Sequence, residues 1–263
     1  MKIKSLLNKR NYEFYYNIIK LYSMSVRRVP KNYDNYTELS NIIKYFDVDK
    51  YDKIAVVASG PSSKNIVLNN DTLYFTTNAA ISLVNKKDYV YVVNDSYYLI
   101  KYLKSFKESE NWKGSVFLYA TNEGREKEYG VKLLYKYLKS KSRTKREFLI
   151  TNNETKPALN SVYEEFIMYI KNKLEIDFFG VNSGFIALAL AYVLSDMCDK
   201  KLEIYGLDLG ENGEGYFNKK ITVGKSIKGN FTKNKVGDFL DKIYSINNKV
   251  SNKSYFKTKK NEK

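Results

Sequence analysis

The chain has 263 residues, one cysteine, no histidine, and 45 Lys+Arg against 29 Asp+Glu, a formal charge of +16. The missing histidine excludes imidazole as base, nucleophile partner or metal ligand, and the lone Cys198 excludes disulfide frameworks and cysteine-based zinc sites. The length fits one large α/β domain. The charge points to polyanionic partners, although a composition biased to Lys, Asn and Tyr throughout yields the same excess with no partner at all.

Residues 1–50 carry no strand–turn signature. Leu6, Leu7, Phe14, Tyr15, Ile18, Ile19 and Tyr22 follow a helical stripe among Lys2, Lys4, Lys9, Arg10, Lys20, Arg27 and Arg28. Packing of this helix on the domain or on another subunit is the favoured expectation; a basic amphipathic helix on an anionic lipid surface is the alternative. Pro30 and residues 31–37 read as a linker, and residues 38–46 as a short helix. No run approaches the ~18–20 apolar residues of a membrane span, and the N-terminus lacks the apolar core of a signal peptide. The expected location is the cytoplasm, with peripheral attachment to the inner face of the membrane as a variant.

The α/β domain is expected over residues 51–250. Ile54–Ala58 predicts a buried parallel strand closed by Ser59, Gly60, Pro61 and Ser62. Strands follow at Leu73–Thr77, ending in Asn78; at Tyr89–Val93, ending in Asn94-Asp95-Ser96; at Ser115–Ala120; and at Phe148–Ile150. Small polar residues at strand carboxyl ends reach a crevice ligand without blocking it. Val162–Leu174 predicts an amphipathic helix. Asn182-Ser183-Gly184 precedes FIALALAYVL, an N-cap signal ahead of a helix apolar nearly all round, hence buried. Its N-terminus suits a phosphate. Lys201–Tyr205 predicts a strand running into Gly206-Leu207-Asp208-Leu209-Gly210-Glu211-Asn212-Gly213, then Tyr216. A lid is expected near 211–235, a last helix at Val236–Ile246, and a frayed basic tail at 251–263.

Dinucleotide and P-loop glycine signatures are absent, as are strong nucleic-acid signatures, so no nucleic-acid partner is expected. Asp47-Val48-Asp49 stands ahead of the first strand and reads as a solvated turn. Each polar strand end taken singly is a turn former or cap; their recurrence on one side of one sheet predicts a nucleotide crevice.

A strand with SGPS, a strand ending in Asn78, a third ending in Asn94-Asp95-Ser96, Asn182-Ser183-Gly184 opening an apolar helix, and then G-L-D-L-G-E-N-G before Tyr216 together resemble the bacterial sialyltransferases of glycosyltransferase family 42, over roughly residues 52–246. The resemblance implies a single Rossmann-like (GT-A-like) domain with a mostly parallel sheet and a flexible lid. It implies transfer of sialic acid or a related sugar from a CMP-activated donor to a cell-surface glycan, lipid-linked in one variant, with no metal and no cofactor beyond the donor. Ser59, Gly60, Ser62, Asn78, Asn94, Ser96, Asn182, Ser183, Gly184, Asn212 and Gly213 would then line the donor site, and Tyr216 would hydrogen-bond the leaving phosphate. The family's lid histidine has no counterpart, the nearest positions being Lys228–Asn230. Its second phosphate tyrosine falls at Gly210, and an arginine falls at Gly180. If another base takes the histidine's place, Asp208 or Glu211 is the candidate; a different CMP-activated sugar or acceptor is the other catalytic explanation. Two alternatives stay open: a Mg²⁺-dependent nucleotide pyrophosphokinase with Asp95 and Asp208 as ligands, and a non-catalytic glycan-binding relative. A homo-oligomer is compatible with each.

Overall fold

The structure is a computed structural model that describes residues 12, 16, 19, 43, 46–93, 98, 101–102, 115–120, 148–152, 162–178, 180–211, 215–218 and 229–258. Among the described residues seven strands form one sheet: β1 (Lys53–Val57), β2 (Thr72–Thr77), β3 (Tyr89–Val93), β4 (Ser115–Ala120), β5 (Phe148–Asn152), β6 (Lys201–Tyr205) and β7 (Val250–Asn252). Their order is β5-β4-β3-β2-β1-β6-β7, and every neighbouring pair is parallel. The helices whose bounds lie among the described residues are the single turn α1 (Ile81–Val84), α2 (Val162–Leu174), α3 (Ser183–Met197) and α4 (Asn230–Ile246). The chain is thus an α/β protein. From β1 the chain works outward on one side as far as β5, then returns to β1's other side as β6. The order reverses between β1 and β6, which is where open parallel sheets gather ligands beyond their strand ends.

Along β1, β2 and residues 89–92 of β3 both faces are buried, so these strands read as near-continuous apolar runs, yet the period of two still sorts them. One face carries Ile54 and Val56, Leu73 and Phe75, Val90 and Val92, and Leu202 and Ile204, all in the main core cluster. Register aligns Ile204, Val56, Phe75 and Val90 in one row across four strands. The other face is tyrosine-rich: Tyr205, Val57, Thr76 and Tyr91 form one row, and Glu203, Ala55, Tyr74 and Tyr89 another. The small residues of β1 leave room for the large rings on its neighbours.

Helix α3 lies across β1, β2, β3 and β6. Its residues Ser183 to Ser195 are all buried, as expected for a helix without a polar face. α2 packs on α3 and on α4. Phe178, Phe185 and Phe239 fill the space between them, with ring centroids 4.9–6.3 Å apart, and Tyr192 meets Phe239 edge-on at 5.7 Å.

Two expectations are corrected. The first six residues of α4 fall inside the stretch expected to be a lid. The helix begins at Asn230 because Thr232 joins Val236, Phe239, Leu240 and Ile243 on its buried face; one polar member concealed the periodicity. The segment from 251 is not a frayed tail through 258. Val250–Asn252 pairs with β6, and Ser254, Phe256 and Thr258 are buried. A three-residue edge strand among lysines is too short to announce itself by alternation. The turn after β1 opens a single 3-10 segment, Pro61–Asn65. Asp47 and Asp49 are exposed, and Val48–Lys50 forms a 3-10 turn ahead of β1, in keeping with a solvated turn. Residues 31–37 lie outside the described residues.

Candidate functional site

β1 and β6 stay hydrogen-bonded beyond their ends. The Ala58 N–H donates to the Tyr205 carbonyl at 2.9 Å, and the Gly60 N–H to the Gly206 carbonyl at 2.8 Å. That approach requires glycine at both positions. A Cβ on Gly60 would stand 2.4 Å from Asp208 Oδ2, and one on Gly206, whose φ is +72°, 2.1 Å from the Ala58 oxygen. Beneath the two turns lies a closed polar knot. Asp208 Oδ2 accepts from the Ser62 N–H at 2.8 Å, and Oδ1 accepts from Ser62 Oγ at 2.6 Å and from the Tyr255 N–H at 2.6 Å. Ser62 Oγ in turn accepts from the Gly206 N–H at 2.9 Å. Ser62 and Asp208 are both buried.

The upper side of the crevice is built from Ser59. Its hydroxyl donates to the Thr77 carbonyl at 3.1 Å, and its own carbonyl accepts from the Phe217 N–H at 2.9 Å. One residue thereby joins the end of β2, where Asn78 follows, to the segment carrying Tyr216. Asn78 has a left-handed backbone, φ 47°, and its Oδ1 is buried with no hydrogen-bond partner among the described residues. The Tyr91 hydroxyl donates to the Asn78 carbonyl at 3.1 Å. The hydroxyls of Tyr216 and Tyr98, the latter from the segment after β3, stand 3.5 Å apart, and both side chains are buried. Asn182 caps α3, its Oδ1 accepting from the Phe185 N–H at 2.9 Å. Gly184 sets the first turn of α3 against Ala58 and Leu207; a Cβ there would lie 3.3 Å from each. Ser183 is buried in the same turn.

The expected site residues therefore divide. Ser59, Asn78, Asn182, Ser183, Gly184 and Tyr216 gather at the carboxyl end of the sheet around the β1–β6 switch. Asp208 is corrected from catalytic base to structural clamp: three donors engage a carboxylate sealed from solvent, so it has neither the access nor the free coordination a base or Mg²⁺ ligand needs. Ser62 is corrected in the same way from ligand contact to knot member, and Gly60 serves the close approach of the two turns. Glu211 is partly exposed and pairs with Lys233 of α4 at 2.5 Å, joining the loop after β6 to that helix. Asn94, Asp95, Ser96, Asn212, Gly213 and Lys228 lie outside the described residues. At the expected arginine position, a Cβ on Gly180 would meet Ile186 at 2.8 Å, so the backbone there is packed as glycine. Tyr98 and Tyr255 were not foreseen. Tyr98 is one tyrosine among 25, and Tyr255 contributes only its backbone, which no side-chain pattern signals.

Burial raises the Cys198 thiol above its ordinary value, with the Asp49 charge adding to the effect, which keeps it protonated and a poor nucleophile. Burial, with Glu203 beside it, pushes the Tyr205 phenol up to about 12. Among the described residues no helix is long and apolar enough to cross a membrane. The chain matches no protein-family model, no curated protein and no solved structure.

Proposed function

We propose that the protein is a glycosyltransferase with a Rossmann-like nucleotide-binding domain, transferring sialic acid or a related sugar from a CMP-activated donor to a cell-surface glycan without a metal. The observation that carries the reading is the meeting of the Tyr98 and Tyr216 hydroxyls, 3.5 Å apart, at the carboxyl end of the sheet. Departure of CMP from a sugar places growing negative charge on a phosphate. Two phenol O–H groups held in a buried setting can donate to that charge as it forms. The N-terminus of α3, capped by Asn182 and brought against β1 by Gly184, adds backbone N–H groups and a positive dipole end for the same phosphate. The unpartnered Asn78 Oδ1 supports a base or ribose contact, since a buried acceptor without a donor is costly until a ligand supplies one. Glu211, partly exposed above this edge, is the carboxylate left to take the acceptor's proton once Asp208 is assigned to the knot.

The test is a thermal-shift panel of CMP, CDP, UDP, GDP and ATP, each with and without Mg²⁺. A ligand at ~100 times its Kd adds ~2.7 kcal/mol of stability. Stabilisation by CMP independent of Mg²⁺, followed by CMP release from CMP-sialic acid in the presence of a glycan acceptor, is the expected outcome. Stabilisation only by ATP or GDP with Mg²⁺ would overturn the reading.

A further inference from the structure

We propose that the helical residues Tyr12, Tyr16 and Ile19 form an interfacial anchor that lies on an anionic lipid surface. This inference stands apart from the reading of the crevice. Tyr12, Tyr16 and Ile19 are helical and 65%, 57% and 68% exposed. The spacing i, i+4, i+7 puts all three on one helix face. The rings of Tyr12 and Tyr16 stack at 6.4 Å, so they form a continuous patch. Ile19 belongs to the apolar stripe expected to pack on the domain or on another subunit, and its 68% exposure shows that this residue is not covered by the domain.

Charge selects the occupant. Residues 1–28 contain seven basic side chains, Lys2, Lys4, Lys9, Arg10, Lys20, Arg27 and Arg28, against Glu13 alone. Lys9 stands three residues before Tyr12, and Lys20 four residues after Tyr16, so the sequence brackets the patch with lysines at helical spacing. Tyrosines with lysines around them suit the headgroup boundary, where rings enter the apolar side and ammonium groups meet lipid phosphates. A second copy of this chain would bring the same positive segment against itself, whereas an anionic leaflet is attracted to it.

The experiment is co-sedimentation of the full chain with vesicles of phosphatidylcholine alone or mixed with phosphatidylglycerol. Binding is expected only to the mixed vesicles. It should fall when salt rises from about 0.1 M to about 1 M, which shortens the screening length from ~10 to ~3 Å. Tyr12→Ser/Tyr16→Ser/Ile19→Ser should lower the partition at least ~10-fold by removing the inserted apolar area. Lys9→Gln and Lys20→Gln should each lower it about fivefold. The thermal midpoint of the triple variant should equal that of the parent. Equal binding to both vesicle types, binding to neither, or a triple variant that still sediments would overturn the proposal. A shifted midpoint would overturn it in favour of packing on the domain, and loss of a dimer in the triple variant in favour of a second copy.

Discussion

The carboxylate of Asp208 reaches the backbone N–H of Tyr255 at 2.6 Å, across 47 positions of sequence, while also holding the hydroxyl of Ser62 at 2.6 Å. One buried side chain thus fastens the exits of β1 and β6 and the segment after β7 to each other. Removing it leaves the buried Ser62 N–H and the part-buried Tyr255 N–H without their acceptor. Asp208→Ala should lower stability by about 3–5 kcal/mol, measured by urea unfolding. Ser62→Ala should cost about 1–3 kcal/mol, and the double variant should cost less than the sum, because the two side chains share their bonds. A stable Asp208→Ala protein would return Asp208 to the list of candidate bases.

The glycines at the switch differ from the one in α4, and alanine scanning should separate them. Gly206→Ala meets the Ala58 oxygen and a positive φ, and Gly60→Ala meets Asp208 and the Gly206 oxygen. Each should destabilise by more than about 1 kcal/mol. Gly237 is helical, and its nearest neighbour to an added Cβ is Phe256 at 3.8 Å. Gly237→Ala should stabilise by about 0.5–1 kcal/mol. Chemical denaturation of the three variants checks both signs.

If the phenol pair acts on a leaving phosphate, Tyr216→Phe and Tyr98→Phe should each lower kcat by roughly 10²-fold, the usual loss for one donor to developing charge. Donor KM and the thermal midpoint should move little. Glu211→Gln should lower kcat by about 10²–10⁴-fold. Wild-type turnover in all three variants would detach this edge of the sheet from the chemistry.

Tyr192 is fully buried in α3, its hydroxyl has no hydrogen-bond partner among the described residues, and burial raises its phenol above the ordinary value, with the Asp196 charge adding to the effect. Tyr192→Phe should therefore stabilise the protein at neutral pH by about 1 kcal/mol. Alkali should amplify the difference. Above pH about 10 the unfolded chain loses phenol protons that the native state keeps. Below that pH this ionisation leaves stability unchanged, and as pH rises from there toward the raised folded value stability falls by up to about 1.4 kcal/mol per pH unit. Urea midpoints at neutral pH and near pH 11 should show the gap between the two proteins widening, with the variant less alkali-sensitive.

How much of this was legible follows the range of the interactions. Tyr89–Val93, Ser115–Ala120, Val162–Leu174 and Lys201–Tyr205 could be read residue for residue, because apolar runs closed by turn formers and a helical stripe are local signals. The Asn182 cap and the buried character of α3 were equally local. The α/β class follows from that pattern. Tertiary structure alone decided what those polar residues do. Asp208 and Ser62 look alike in sequence to Asn78 and Ser59: short polar groups after a strand. Their roles differ because the Tyr255 N–H, from a segment that carried no pattern of its own, donates to Asp208, whereas no donor among the described residues reaches the buried Asn78 oxygen. Burial and long-range hydrogen bonding are properties of the assembled sheet, and they set a clamp apart from a site.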